Sequence, residues 1–252
     1  MLNYRIIEGK DSSKTILFLH GFLESLTMWE YLSCQDFPFT SLLLDLPGHG
    51  SSVIEDVNSP SIEYFADTVK ETIELLNIQI DGVVGHSMGG YVALSLKKNH
   101  FNSISVVLLN SNFWEDSTEK KKDRVRVAEI VLKNKALFLK EAIPNLFLKK
   151  NERKKEINKL IEESVKMEAA SISYASLAMR EREDYTEFLI DCIDVKVVQG
   201  EQDKIVIKEE MDLRINNLKL PYYILKGVGH MSHIEKNDEV KEIIKEVFCI
   251  NV

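Results

Sequence analysis

Seven short apolar runs alternate along this 252-residue chain with stretches of helical period. The runs span residues 4–8, 16–20, 41–45, 82–85, 104–110, 195–200 and 221–225. Such a rhythm predicts βαβ units around a largely parallel sheet, because a crossover helix is the short way to bring the next strand in parallel. Leu42-Leu43-Leu44 and Val106-Val107-Leu108-Leu109 have no polar residue on either side of the pleat, so their strands need cover on both faces. Between the runs, Ile62, Phe65, Val69, Ile73 and Leu76 share one helical face, with Ser59-Pro60 as its expected cap and first turn. Val240, Ile243, Ile244, Val247 and Phe248 predict a closing helix in the same way.

The rhythm stops between Asn110 and Val195. That interval has helical stripes (Val125, Ala128, Val131 and Leu132; Ile157, Leu160, Ile161 and Val165) and no strand signal. Its charge differs too: residues 113–168 hold 15 Lys+Arg against 11 Asp+Glu, whereas the rest of the chain holds 17 against 29, for a net charge of -8 overall. The expected organisation is one α/β core, residues 1–111 and 190–252, with a helical cap inserted at 112–189. Ala175, Leu177, Met179 and Arg180 belong to the helix leading back into the core. The runs Lys120-Lys121-Lys122 and Arg153-Lys154-Lys155 are interleaved with acids, which predicts solvated helical faces.

Composition narrows the classes of function. No apolar run approaches the roughly 18 residues of a membrane span, and residues 1–8 lack the apolar core of a signal peptide. Cys34, Cys192 and Cys249 are odd in number and far apart, so neither a disulfide framework nor a zinc knuckle is encoded. A cytoplasmic protein without nucleic-acid or membrane partners, monomeric or homodimeric, is expected.

The chemistry concentrates at Gly85-His86-Ser87-Met88-Gly89, which follows an apolar run and opens a helical one. A serine on a sharp strand-to-helix turn projects its hydroxyl above the sheet edge, and the helix N-terminus favours developing negative charge there. A serine hydroxyl is a weak nucleophile near neutral pH and needs a base held by a third group. Asp203 follows the run ending at Gly200, and His230 follows the run ending at Leu225 through Gly227-Val228-Gly229.

In this order and setting the chain resembles the α/β-hydrolase fold superfamily over nearly its full length. The resemblance rests also on His20-Gly21-Phe22 after the 16–20 run, on Asp45-Leu46-Pro47-Gly48-His49-Gly50-Ser51-Ser52, and on Gly200-Glu201-Gln202-Asp203. It implies a mostly parallel sheet flanked by helices, a Ser87–Asp203–His230 triad, and an oxyanion hole made by the backbone N–H groups of Phe22 and Met88. It implies a serine hydrolase acting on a small or medium carboxylic ester, with no cofactor and no metal, and a pocket roofed by cap aromatics such as Trp114, Phe138 and Phe147.

Competing assignments remain open at this level. Asp116, beyond the 104–110 run, is a rival for the acid, whereas Asp191 and Asp194 precede their strand and fall at the wrong sheet edge. His233 is a rival for the base, with a hydrogen-bonded structural role, or one in support behind the catalytic residues, as its expected alternative. His20, His49 and His86 are read as supports of their loops and His100 as a helix-end residue. Within the same fold, thioesterases, carbon–carbon bond hydrolases and the menaquinone-pathway synthases use a similar site. Those synthases usually place an arginine after the paired glycines, where this chain has Tyr91. An aspartate nucleophile, as in haloalkane dehalogenases and epoxide hydrolases, is disfavoured by Ser87. Of another class altogether is a triad-bearing ligand receptor.

Overall fold

Each of the seven apolar runs forms a strand in the computed structural model, which describes residues 1–10, 13–55 and 59–249. The strands are β1 (Tyr4–Ile7), β2 (Thr15–Leu19), β3 (Thr40–Leu44), β4 (Gly82–His86), β5 (Ser105–Leu109), β6 (Val195–Gly200) and β7 (Tyr222–Leu225). They make one sheet in the order β1-β3-β2-β4-β5-β6-β7, parallel throughout except for β1, which pairs antiparallel with β3. The helices are α1 (Ile62–Leu75), α2 (Met88–Asn99), α3 (Thr118–Ala142), α4 (Lys154–Ser164), α5 (Ala169–Arg180), α6 (Lys208–Ile215), α7 (Ser232–Glu235) and α8 (Asn237–Cys249).

The pleat divides the apolar runs between two layers. Leu17, Leu19, Leu42, Leu44, Val106 and Leu108 face a core closed by Phe65 and Val69 of α1 and Val92 of α2. Ile16, Phe18, Leu43, Val107 and Leu109 face the opposite core, closed by Trp29, Phe37 and, from α8, Val240, Ile244 and Phe248. Adjacent residues of one strand thus sit in different cores, which is why no polar alternation appears in them.

Helix α1 begins two residues later than Ser59-Pro60 suggests. Ser61 is its cap: its backbone is extended and its side chain accepts from the Tyr64 N–H at 3.1 Å, satisfying one of the open donors of the first turn.

Between β5 and β6 the chain is helical, running through α3, α4 and α5. Val131, Leu139, Ile143, Phe147, Ile157 and Leu160 form a third cluster there, joined by Leu23 from the loop after β2. The stripe of α3 is narrower than its sequence suggests, with Leu132 59% exposed. The helix leaves helical geometry at Asn134, and the Asn134 Oδ1 accepts from the Leu137 N–H to start the second segment. Ala175 and Met179 of α5 pack into the first sheet core, so this helix closes the insertion onto the sheet as expected. No helix among the described residues is long and apolar enough to cross a membrane.

Candidate active site

Ser87 stands between the last residue of β4 and the first of α2 with φ 48 and ψ −115. A side chain in that region costs on the order of 1–3 kcal/mol and persists only where the surroundings hold it. Here the Ser87 N–H donates to the Leu109 carbonyl at 3.0 Å, and its own carbonyl accepts from the Gly90 N–H and the Ser111 hydroxyl. The flanking glycines are required sterically. A Cβ at Gly85 would lie 2.4 Å from the Gly89 carbonyl oxygen, and one at Gly89 would lie 2.2 Å from that of Leu19.

His230 lies on the loop between β7 and α7, and its Nε2 is 3.0 Å from the Ser87 Oγ. Its Nδ1 is 2.8 Å from Asp203 Oδ2, in the loop after β6. A carboxylate accepts only, so Nδ1 carries the proton and Nε2 is left as the acceptor facing the serine. Asp203 is anchored besides: Oδ1 accepts the N–H groups of Ile205 and Val206, and Oδ2 accepts from Asn110 Nδ2. Burial works to raise the Asp203 carboxyl, but the charge and hydrogen bond of His230 and the other donors outweigh it and hold the group below its ordinary range. It stays an anion in the interior.

The competing acids are occupied elsewhere. Asp116 is buried between two guanidiniums, Arg124 at 2.9 Å and Arg182 at 2.7 Å. Asp194 pairs with Lys97 at the other end of the sheet strands.

Two residues that the sequence does not advertise tie the site together. Asn110, at the end of β5 with φ 46, donates both to Asp203 and to the Gly229 carbonyl, and accepts from the Ser232 hydroxyl. Asparagine tolerates that left-handed backbone better than most residues, which is the only sequence signal it leaves. Glu24, buried in the loop after β2, accepts from the Gly21 N–H at 2.6 Å and from His86 Nδ1 at 3.0 Å. The other nitrogen of His86 meets the His230 carbonyl at 3.0 Å. With acceptors at both nitrogens, His86 needs both protons and stands as an imidazolium against the Glu24 carboxylate. Although burial opposes both charges, the pairing raises His86 and lowers Glu24 to about 2. The pair clamps together the Gly21–Phe22 loop, the serine turn and the His230 loop.

The remaining histidines divide by their partners. His20 Nδ1 donates to the Gly21 carbonyl and Nε2 accepts from the Leu46 N–H, while His49 donates to the Pro47 carbonyl, so both organise loops as expected. His100 ends α2 and pairs with Asp67. His233 does not make the hydrogen bonds expected of a structural histidine: it is buried with no hydrogen-bond partner on either nitrogen among the described residues. It packs instead between the rings of His86 and Trp29, and burial drives its pKa well below the ordinary value, so it is neutral.

A cavity of about 380 Å³ opens over Ser87 and His230. Phe22, Tyr91, Phe138, Leu146, Met179 and Ile205 make its apolar wall, and Lys120, Asp123, Arg124 and Lys204 stand on it as charged groups. Of the three aromatic residues expected there, only Phe138 lines it. Trp114 is buried in the first sheet core beneath the Arg214 guanidinium, and Phe147 is buried in the cap cluster. Both are consumed by packing, which demands the largest apolar side chains first. Lys120 is the other correction. Lys121 pairs with Glu115 on the surface as expected, whereas Arg153 is half-buried, pairing with Glu156 and donating to the Glu235 carbonyl, and Lys120 turns to the cavity and donates to the Ile205 carbonyl. Met88 opens α2, so its N–H has no partner within the helix, and Phe22 lies opposite on the loop after β2. No group of three or more metal-ligating side chains occurs among the described residues.

A parallel sheet flanked by helices, with a serine on the β4–α2 turn and a histidine and aspartate from the ends of β7 and β6, is the architecture of an α/β hydrolase. The chain belongs to the alpha/beta hydrolase family, whose model matches residues 16–243. Among solved structures it is similar to a thermophilic esterase from Thermogutta terrifontis, with a TM-score of 0.85 at 26% identity over 97% of this chain and 92% of that one. An enol-lactonase from Burkholderia xenovorans shares the fold with a TM-score of 0.87 at 21% identity, over 99% and 96% of the two chains. Among curated proteins, 2-succinyl-6-hydroxy-2,4-cyclohexadiene-1-carboxylate synthase of Citrobacter koseri is 35% identical over 86 residues, 34% of this chain and 33% of the synthase. The dihydrolipoyllysine-residue acetyltransferase component of the acetoin cleaving system of Cupriavidus necator is 25% identical over 248 residues, 93% of this chain. That match spans 63% of the component's length.

Proposed function

We propose that this protein is a serine hydrolase that cleaves small or medium carboxylic esters through an acyl-enzyme on Ser87. The observation that carries the reading is the line Ser87 Oγ–His230 Nε2–Asp203, at 3.0 and 2.8 Å, ending beneath an apolar cavity. Ser87 Oγ attacks the ester carbonyl while His230 Nε2 takes its proton, and Asp203 stabilises the imidazolium that forms. The N–H groups of Met88 and Phe22 receive the oxyanion of the tetrahedral intermediate. His230 returns the proton to the departing alcohol. Water, deprotonated by the same nitrogen, then releases the acid and restores the serine. These steps use side chains and backbone groups alone, with a small-molecule ester as the partner. The helical insertion, residues 112–189, serves as the roof that selects it.

Labelling with a serine-directed phosphonate tests the reading directly. Intact-mass measurement is expected to find one adduct, mapped to Ser87, and none after Ser87→Ala. A folded protein that takes up no label would instead favour a ligand receptor. Asp203→Asn should reduce kcat by about 10⁴-fold, because an amide at that position can turn His230 into the wrong tautomer. Stopped-flow or steady-state hydrolysis of p-nitrophenyl butyrate measures it, and a loss below tenfold would move the acid's role elsewhere.

One observation keeps a second reading in play, the partial match to a synthase of the same fold. A carboxylate-holding arginine at the Tyr91 position would favour it. The neighbouring Arg182 stacks over the Tyr91 ring at 4.3 Å, but its donors are spent on the Trp114 and Met179 carbonyls and on Asn112 Oδ1, and its charge is paired with Asp116. A substrate panel of esters, thioesters and lactones separates hydrolysis from proton abstraction.

A further inference from the structure

We infer that the preferred ester carries a carboxylate at the end remote from the bond being cleaved, held at the cavity by Lys120, Lys204 and Arg124. This rests on the ester-hydrolase reading and names its substrate class. The three cations share one wall system with Ser87 and His230, and the groups that could neutralise them are already committed. Lys120 donates only to the Ile205 carbonyl, and neither it nor Lys204 has a carboxylate partner among the described residues. Arg124 shares a single buried carboxylate, Asp116, with Arg182, so that group keeps one positive charge in excess.

The acids that face the same space do not cancel this excess. Asp123, which also lines the cavity, is paired with Arg126 at 2.9 Å. Glu24 is matched by the His86 imidazolium, and Asp203 lies behind His230. The cavity therefore combines an apolar wall, suited to a short methylene chain, with an uncompensated positive group at its edge. A solvated helical face explains Lys121, which pairs with Glu115 away from the cavity, but not Lys120 one residue before it. Charges beside an apolar wall act over longer range than charges in open water, so an anionic substrate is drawn in as well as held.

The experiment compares two matched pairs of esters at low ionic strength. Mono-p-nitrophenyl glutarate against p-nitrophenyl pentanoate places the charge on the acyl side. The butyrate ester of 4-(carboxymethyl)phenol against that of 4-methylphenol places it on the leaving group. In at least one pair the charged ester is expected to have the higher kcat/KM, by about tenfold, the preference shrinking as salt is added. The double variant Lys120→Gln/Lys204→Gln should lower the charged-to-neutral ratio by about the same factor, chiefly through KM. Equal kcat/KM values within both pairs, with neutral esters still turned over, would overturn this inference and leave the hydrolase reading standing. A preference that survives the double variant would overturn it as well. Failure of the folded protein to hydrolyse any of the four would remove both.

Discussion

Under the proposed mechanism, Ser87→Ala is expected to lower turnover of p-nitrophenyl butyrate by about 10⁴- to 10⁶-fold, the range for removal of a triad's nucleophile when only the oxyanion donors and binding remain. The substitution deletes the hydroxyl oxygen to which the acyl group bonds in the proposed mechanism. It leaves the rest of the turn in place. Alanine keeps the Cβ, so the strain at φ 48 is unchanged, and the backbone bonds to Leu109, Gly90 and Ser111 use no side-chain atom of residue 87. His230 remains held by Asp203 at 2.8 Å. Activity should therefore fall while the denaturation midpoint stays near that of the unaltered protein. Turnover within tenfold of the unaltered protein would place the reactive group elsewhere.

The second large effect falls on stability. Glu24→Leu removes one member of an ion pair whose side chains are 2% and 0% exposed, leaving the His86 imidazolium without its anion in the interior. Breaking a buried pair from one side costs about 3–5 kcal/mol. The Gly21 N–H loses its acceptor too. Urea denaturation should show a lower midpoint at an unaltered slope, and Glu24→Leu/His86→Leu should be less destabilised than the sum of its parts. A Glu24→Leu midpoint equal to that of the unaltered protein would mean that the pair holds nothing.

The same pair gives stability a pH signature. The Glu24 carboxyl falls from 4.5 to about 2 on folding, so its contribution is present above pH 4.5 and lost as pH drops toward 2. His86 is raised above 6.5, so its contribution is fully present below 6.5 and lost as pH rises through its folded value. The pair supports the fold most between those limits. Comparing urea midpoints of the parent and the double variant across this range measures it.

Much of this molecule was legible from residue spacing. The seven apolar runs became the seven strands, since period-2 burial on both faces leaves the same mark in any such strand. The turn around Ser87 was legible because Gly85 and Gly89 have no room for a Cβ and a helix starts at once. The cap was legible as helical but not as a surface. Trp114, Phe138 and Phe147 are similar as residue types, yet two fill cores and one faces the cavity. Lys120 and Lys121 are neighbours in one charged run, yet they point to different partners. Glu24 was silent because its partners, Gly21 and His86, are 3 and 62 positions away.

By itself the sequence determined the strand order along the chain, the helical insertion and the serine turn, because each depends on contacts within a few residues or on a repeating period. The family resemblance names Asp203 and His230, but only the tertiary structure decided how they meet Ser87 and what else stands beside it. The Asp203 and His230 loops, the Asn110 and Glu24 anchors and the cations of the cavity come from separate segments. Their meeting depends on sheet order and helix packing, where side-chain direction is set by neighbours distant in the chain rather than by residue type.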